Sequence, residues 1–429
     1  MRTARELSER AAPRRRCWRA VVLLVALACA TTSVQAADVV LVIADGANRG
    51  FNDPAPTAPV GGNDGETLGA QRRIAFSHAA AIIGSRIDSR VPIRIRASFD
   101  RGLDCRRNAA TLASAGPATF AANFPRAPRT DTFYPVALAN ALRGARTANT
   151  DTDIVARFNP ALDSNDDCLR GAGWYYGIDG ATPDGQPSFV STVAHELIHG
   201  LGFVSLVALD DAGADRAGQF PRSPSGARYA DIYSSLIRDL SFAGQPLWPE
   251  LSDAQRRGSL THGPDVVFAG KSTVAYGAPE LVAGTTQGRV RVFAPDPVVR
   301  ASSISHWDTS LTPDQIMEPV ASGAERVTRG IGLSACALQD IGWTLNTGWT
   351  LIGMTRCPDR SQQAIAGGSA ADYVTVEGPA ISAGGAAPAA SGDNGGGGCT
   401  LAPGARFDPV WLLLLAAAIV ALRRRRHRA

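Results

Sequence analysis

Two histidines and a glutamate in one short stretch are the residues whose types and spacing best fit chemistry. Residues 193–203 of the 429-residue chain contain the pattern His-Glu-x-x-His. On a helix, His195 and His199 lie one turn apart on the same face and can bind one metal ion. Glu196 is rotated by about 100° and can reach a water on that metal. The alternative is a chance match on an ordinary core helix. On a buried helix, however, polar side chains without a partner would each cost roughly a few kcal/mol. We therefore expect a Zn²⁺ site.

The elements around this stretch predict an α+β fold. Ser188 is predicted to cap the helix that carries His195 and His199, here called the metal helix. Gly202 is predicted to let the chain leave this helix sharply, because glycine adopts positive φ. Residues 104–117 read as irregular. Apolar runs and alternation predict strands at 38–44, 91–99 and 153–159, and helical spacing predicts helices at 67–87, 134–143 and 333–343.

Residues 203–305 are predicted to be a β-rich insertion. They divide an N-terminal catalytic subdomain, 37–202, from a C-terminal subdomain, 306–377. Within the insertion we expect one helix at 230–240 and short strands at 266–268, 273–276, 280–282 and 289–293. Residues 378–398 are rich in Ala, Gly, Ser and Pro, which predicts a flexible linker.

The N-terminus is typical of a secretory signal peptide, predicted to span residues 1–36. Arginines at 14–16 and 19 precede a short apolar run at 21–30, and Val34-Gln35-Ala36 fits a small-residue cleavage site. The run is well short of the roughly 20 residues that span a membrane. The sequence thus predicts an exported protein.

The chain's net positive charge comes from its two ends. Residues 1–36 carry seven arginines and two glutamates, and residues 399–429 carry six arginines and one aspartate, so each end contributes +5. The total of +4 therefore leaves −6 for residues 37–398. An acidic body argues against nucleic-acid binding.

The C-terminus, 399–429, is predicted to be a sorting or anchoring segment. Glycines at 395–398 and Cys399 precede an apolar run at 410–422 and four arginines at 423–426. This order resembles bacterial GlyGly and Gly-Cys sorting signals, which implies membrane contact before processing and cleavage by an intramembrane rhomboid-like protease. A plain single-pass tail anchor is the alternative. Both place the body at the cell surface or outside the cell.

Four of the seven cysteines lie in the body: Cys105, Cys168, Cys336 and Cys357. An even number in an exported protein predicts two disulfides. Four cysteines allow three pairings, of which we favour the two sequence-local bonds, Cys105–Cys168 and Cys336–Cys357.

A catalytic zinc ion needs a third protein ligand, and the sequence offers several. A downstream glutamate fits poorly, since none occurs between Glu196 and Glu250. Aspartates at 210, 211 and 215 leave a carboxylate ligand open. Ser205 stands where the short metzincin pattern would place a third histidine.

His306 and Met317 favour another solution. His306 is followed by Met317 in Ile-Met-Glu-Pro, and a histidine about ten residues before a methionine turn is typical of the second half of a metzincin site. Together with residues 195–203 and the helix at 333–343, these motifs resemble the leishmanolysin family of zinc metalloproteases. The rest of the chain shows no matching motif, and its insertion is longer than the family's.

The resemblance implies a metzincin-type catalytic domain and a set of roles. His195, His199 and His306 would bind zinc, Glu196 would be the general base, and Met317 would lie beneath the metal. The implied activity is endopeptidase hydrolysis of a protein or peptide substrate, with strand 153–159 expected as the edge that pairs with extended substrate. The alternative is a surface-anchored, non-catalytic binding protein with a degenerate or structural zinc site.

Overall fold

The computed structural model describes residues 36–147, 151–209, 216–320 and 331–346, together with the backbone of 376–377 and 397–401. The described part is a mixed α+β fold. Its strands are β1 Val39–Ile43, β2 Ile93–Phe99, β3 Cys105–Arg106, β4 Ala109–Pro117, β5 Phe120–Ala121, β6 Thr132–Pro135, β7 Ile154–Phe158, β8 Ala230–Asp231, β9 Ile237–Asp239, β10 Val266–Phe268, β11 Thr285–Thr286, β12 Arg289–Arg291, β13 Val376–Glu377 and β14 Gly397–Leu401.

The main sheet has the strand order β13-β1-β2-β7-β4-β14, and β3 pairs with β4. Strands β1, β2 and β7 are parallel, whereas β4 runs antiparallel to β7. In β2 the apolar Ile93, Ile95 and Ala97 are buried and the alternating Arg94 and Arg96 are more exposed, as a strand with one wet face requires. The three strands predicted for this part of the chain are confirmed.

The prediction that 153–159 is the edge strand is wrong. Strand β7 pairs with β2 on one side and with β4 on the other. The strand beyond it, β4, lies in the stretch that we expected to be irregular. Its residues are mostly Ala, Thr, Ser and Gly, which are too small to give a clear apolar alternation, although Leu112 and Ala113 are fully buried.

The α-helices of the described chain are α1 Leu68–Gly84, α2 Val136–Arg143, α3 Ala161–Ser164, α4 Phe189–Gly200, α5 Asp253–Ser259 and α6 Leu333–Ile341. The Thr67 side chain caps α1 by accepting a hydrogen bond from the amide of Ala70. Helix α1 packs on α4, and α4 packs on β4 and β7. The three long predicted helices are thus confirmed, each with a shift of its ends.

The insertion contains a four-stranded antiparallel sheet in the order β11-β12-β10-β9. The helix expected at 230–240 is wrong: β8, a 3-10 turn at Ser234–Leu236 and β9 stand there. The cause is Asp231, whose buried carboxylate accepts hydrogen bonds from Ser234 N and Leu206 N, at 2.7 and 2.9 Å. The bond from Leu206 ties the carboxylate to a distant loop, and the bond from Ser234 closes the tight turn that follows β8.

The strands expected at 273–276 and 280–282 are wrong: the first is a helical turn, and of the second only Glu280 belongs to an element, the end of a 3-10 turn. Residues Thr273–Gly277 form a π-helical turn and Ala278–Glu280 a 3-10 turn. The carboxylate of Asp340 on α6 accepts hydrogen bonds from Ser272 N and Thr273 N, at 2.7 and 2.8 Å. A carboxylate in this position satisfies the free amides of a helix start, which favours a turn over a strand. The strand at 266–268 is confirmed, and the strand expected at 289–293 is found over the shorter range Arg289–Arg291.

The disulfide Cys105–Cys168 is confirmed, and it joins β3 to the 3-10 turn that begins at Cys168. Cys336 is also disulfide-bonded, while Cys357, its predicted partner, lies outside the described residues. The predicted signal peptide and most of the linker and C-terminal segment lie outside them too. Among the helices described, none is long and apolar enough to cross a membrane.

Candidate metal centre

The helix that carries the central motif is buried and fixed at both ends. The Ser188 side chain accepts a hydrogen bond from Ser191 N, so the predicted cap of α4 is confirmed. At the other end, a Cβ on Gly200 would lie 2.4 Å from Ile154 Cγ2 on β7. Only glycine therefore allows this approach of helix to sheet. His195, Glu196 and His199 are 2%, 0% and 0% exposed.

Three imidazoles from two distant segments converge on one point. The Nε2 atoms of His195 and His199 are 3.0 Å apart, those of His199 and His306 3.2 Å, and those of His195 and His306 3.3 Å. No other group of three His, Cys, Asp or Glu side chains among the described residues has this proximity. The structure therefore brings together the three residues that were predicted as ligands.

The second nitrogen of each ring fixes its tautomer. The Nδ1 atoms of His195, His199 and His306 lie 2.6, 2.8 and 2.8 Å from backbone carbonyl oxygens. A carbonyl can only accept, so each Nδ1 must carry the proton and donate it. In the neutral rings, each Nε2 then holds an unshared electron pair. The three pairs lie against one another in the protein interior.

This arrangement fits a bound cation. Three nitrogen lone pairs at van der Waals distance repel one another unless a positive charge lies between them. With zinc–nitrogen distances of about 2.0–2.1 Å and tetrahedral angles, ligating nitrogens are about 3.3–3.4 Å apart, close to the distances seen here. Histidine is also a preferred ligand of zinc, copper, iron and nickel, so the donor set alone fits a transition metal rather than calcium or magnesium.

Burial keeps all three rings neutral. It lowers the pKa of His195 to about 4 and, with the repulsion that a protonated His306 would meet from a protonated His195, that of His306 to about 3. Burial is also the largest cause of the depressed pKa of His199, followed by the repulsion between protonated rings. Neutral imidazole is the form that binds metal, so at neutral pH burial holds the three candidate ligands in the form able to bind one.

The exit from α4 supplies one of the three carbonyls. Gly202 has φ of 119°, as predicted from its need for positive φ. The turn places Phe203 O at 2.8 Å from His199 Nδ1. A second hydrogen bond holds this turn: Trp343, just after α6, donates from its indole nitrogen to Leu201 O at 2.8 Å.

The methionine turn supplies the second carbonyl. Ile316 O lies 2.6 Å from His195 Nδ1. The next residue, Met317, is fully buried, and its carbonyl accepts a hydrogen bond from Trp307 N at 2.8 Å. The turn is therefore bonded both to a candidate ligand and to the residue after His306.

The third carbonyl belongs to Ser302, four residues before His306. The backbone between them is strained, since Ile304 has φ of 70°, which is rare for a β-branched residue. Ile304 is held by hydrogen bonds from its amide to Phe293 O at 2.8 Å and from the Tyr233 hydroxyl to its carbonyl at 2.9 Å. These contacts direct His306 to the centre. No residue pattern predicts these contacts, because any residue type can provide a carbonyl acceptor.

The other histidines of the described chain lie elsewhere. His262 contacts Asp239, with Nδ1 2.8 Å from Oδ2, and His78 lies on α1. Ser205 is hydrogen-bonded within the loop after α4: its amide donates to Ser305 Oγ and its hydroxyl is 2.7 Å from Ser234 Oγ. The aspartates at 210, 211 and 215 lie outside the described residues.

No family model, no curated protein and no solved structure matches this chain.

Proposed function

We propose that the protein is a zinc-dependent endopeptidase with a metzincin-type catalytic domain. The single observation that carries the proposal is the convergence of the three Nε2 atoms of His195, His199 and His306, each with its Nδ1 proton fixed by a carbonyl. A ligand set of three histidines leaves one tetrahedral position open, as catalytic zinc sites do. Zn²⁺ is the proposed metal.

The order of elements supports the metzincin assignment. The metal helix α4 ends at a glycine turn, His306 follows after the long insertion, the buried Met317 turn comes next, and α6 closes the unit. Among these, the bond from Ile316 O to His195 gives the methionine turn a physical role, because it orients a ligand. The resemblance to the leishmanolysin family remains a resemblance of motifs.

Glu196 is the proposed general base. Zinc, when bound, supplies Lewis acidity that lowers the pKa of water and polarises a carbonyl. Glu196 is the neighbour of His195 on α4 and is fully buried. In the proposed reaction its carboxylate takes a proton from the attacking water and passes it to the leaving amine. A purely structural zinc site would need no carboxylate beside its ligands.

The substrate is proposed to be an extended peptide. Strand β4 lies beside the metal helix α4 and runs antiparallel to its neighbour β7. The side of β4 away from β7, which pairs with β14 in this structure, is the proposed place at which a substrate peptide pairs as a strand, with affinity from main-chain hydrogen bonds.

The protein is proposed to act at the cell surface or outside the cell, after export by its N-terminal signal. The basic and apolar C-terminal segment is the proposed contact with the membrane before processing. Deleting residues 399–429 should release the protein into the medium; retention of the deleted form on the cell surface would contradict this.

The proposed activity is tested by Glu196→Ala. The variant should keep one zinc per chain and the wild-type near-ultraviolet circular dichroism, but lose about 10³-fold or more in casein or peptide hydrolysis, because base and proton shuttle are removed together. Hydrolysis near the wild-type rate would refute the mechanism. A wild-type protein that holds zinc and hydrolyses nothing would favour the binding-protein alternative.

A further inference from the structure

The side of β4 that faces away from β7 is covered by the chain's own C-terminal segment. Strand β14, Gly397–Leu401, pairs antiparallel with β4 from Gly397 opposite Ala115 to Leu401 opposite Ala110, with a register shift between Cys399 and Thr400. The same strand lies beside the metal helix α4. The segment therefore occupies the place and direction that an added peptide strand would take.

We propose that residues 397–401 are an internal peptide ligand of the β4 edge, which competes with peptide substrate for this site. The competition rests on the proposed function, whereas the binding of a peptide strand to β4 does not. Two glycines open the segment, and glycine in a strand permits close approach of another backbone. The ligand class is thus an extended peptide with small residues, recognised through its main chain.

The short length of β14 makes its pairing with β4 reversible. A strand of five residues has few main-chain hydrogen bonds, so as a free peptide it binds weakly. Residues 378–396 tether it to the body, and a covalent tether gives an effective concentration of up to roughly millimolar. A protein substrate with a longer matching segment can therefore displace it. A second interpretation is that β14 only covers a sheet edge that would otherwise aggregate.

The test exposes the edge of β4 by placing prolines in β14. In the full chain, Gly398→Pro together with Thr400→Pro removes two main-chain donors and restricts the backbone. The matched control is Gly384→Pro with Gly385→Pro, two glycines of the linker outside the strand. A truncation after residue 396 serves as a second opened form. The probe is a fluorescein-labelled peptide with the sequence of residues 394–403 and serine in place of Cys399, followed by anisotropy.

We expect the probe to bind both opened forms and to bind the wild type and the control at least tenfold more weakly. For a peptide substrate, KM should fall about two- to tenfold in the opened forms with kcat unchanged. Equal probe binding by all four proteins would overturn the proposal, as would opened forms with an unchanged KM. Cys399→Ser alone should behave as wild type; if it opens the site, a thiol contact and not strand pairing covers it, and the proposal is wrong. Probe binding without any hydrolysis would support the strand site and refute the peptidase.

Discussion

Replacing Gly202 by alanine tests how tightly the residues at the C-terminal end of α4 are packed. Gly202 has φ of 119°, where an L side chain is strained by roughly 1–3 kcal/mol. An added Cβ would lie 2.8 Å from Pro135 Cγ and 2.9 Å from Ile341 Cδ1, and such overlap in a packed core costs roughly 1–3 kcal/mol. We expect Gly202→Ala to lower the free energy of unfolding by about 2–6 kcal/mol.

The matched control separates backbone strain from overlap. Gly226 has φ of 87°, and a Cβ added there meets nothing within 4 Å. Gly226→Ala should therefore cost only the strain, roughly 1–3 kcal/mol. Urea unfolding of the metal-free protein measures both values.

Metal affinity gives the second measurement for the same pair of variants. Because Phe203 O orients His199, displacing it should weaken zinc binding by roughly 10–100-fold, as changes beyond the ligands typically do. Competition with a chromophoric chelator measures this affinity. Gly226→Ala should keep the wild-type value. If the two variants unfold alike and bind zinc alike, the account of the helix exit is refuted.

Two further predictions concern the disulfide and pH. Replacing Cys105 and Cys168 by alanine opens a loop of sequence separation 63, and we expect a loss of about 4 kcal/mol in unfolding free energy from restored chain entropy; a loss under about 1 kcal/mol in denaturant titration would contradict this. The metal-free protein should lose stability as pH falls from about 6.5 to about 4, because a histidine with a depressed folded-state pKa takes up its proton more readily when unfolded. His195, with a pKa of about 4, accounts for about 3 kcal/mol of this loss, so unfolding at pH 7.5 and 4.5 should differ less in His195→Gln than in the wild type.

The sequence was sufficient for the features that depend on a local pattern. The spacing of His195 and His199, the cap at Ser188 and the positive φ of Gly202 are all properties of a few neighbouring residues, and each is found in the structure. His306 was chosen by its distance from Met317, again a local pattern. The disulfide Cys105–Cys168 followed from the count of cysteines and their proximity in the chain.

The sequence was insufficient where long-range contacts decide the local structure. Asp231 accepts a hydrogen bond from the distant Leu206 amide where a helix was predicted, and Asp340 accepts bonds from the amides of Ser272 and Thr273 at the start of the turn that replaces the strand predicted at 273–276. Strand β4 has small residues without clear alternation, so its place in the sheet is determined by pairing with β7. The carbonyls that fix the three imidazoles belong to residues of three unrelated types.

The most direct test of the account compares His306 with His262. His306→Ala removes one of the three proposed ligands, so zinc affinity should fall by far more than the roughly 10–100-fold of changes beyond the ligands. His262, which contacts Asp239 and not the centre, is the matched control. Zinc per chain is measured after dialysis against a weak chelator, alongside peptide hydrolysis. We predict that His306→Ala loses both zinc and hydrolysis while His262→Ala keeps both; a His306→Ala protein that holds a full equivalent of zinc and still cleaves would contradict the three-histidine centre.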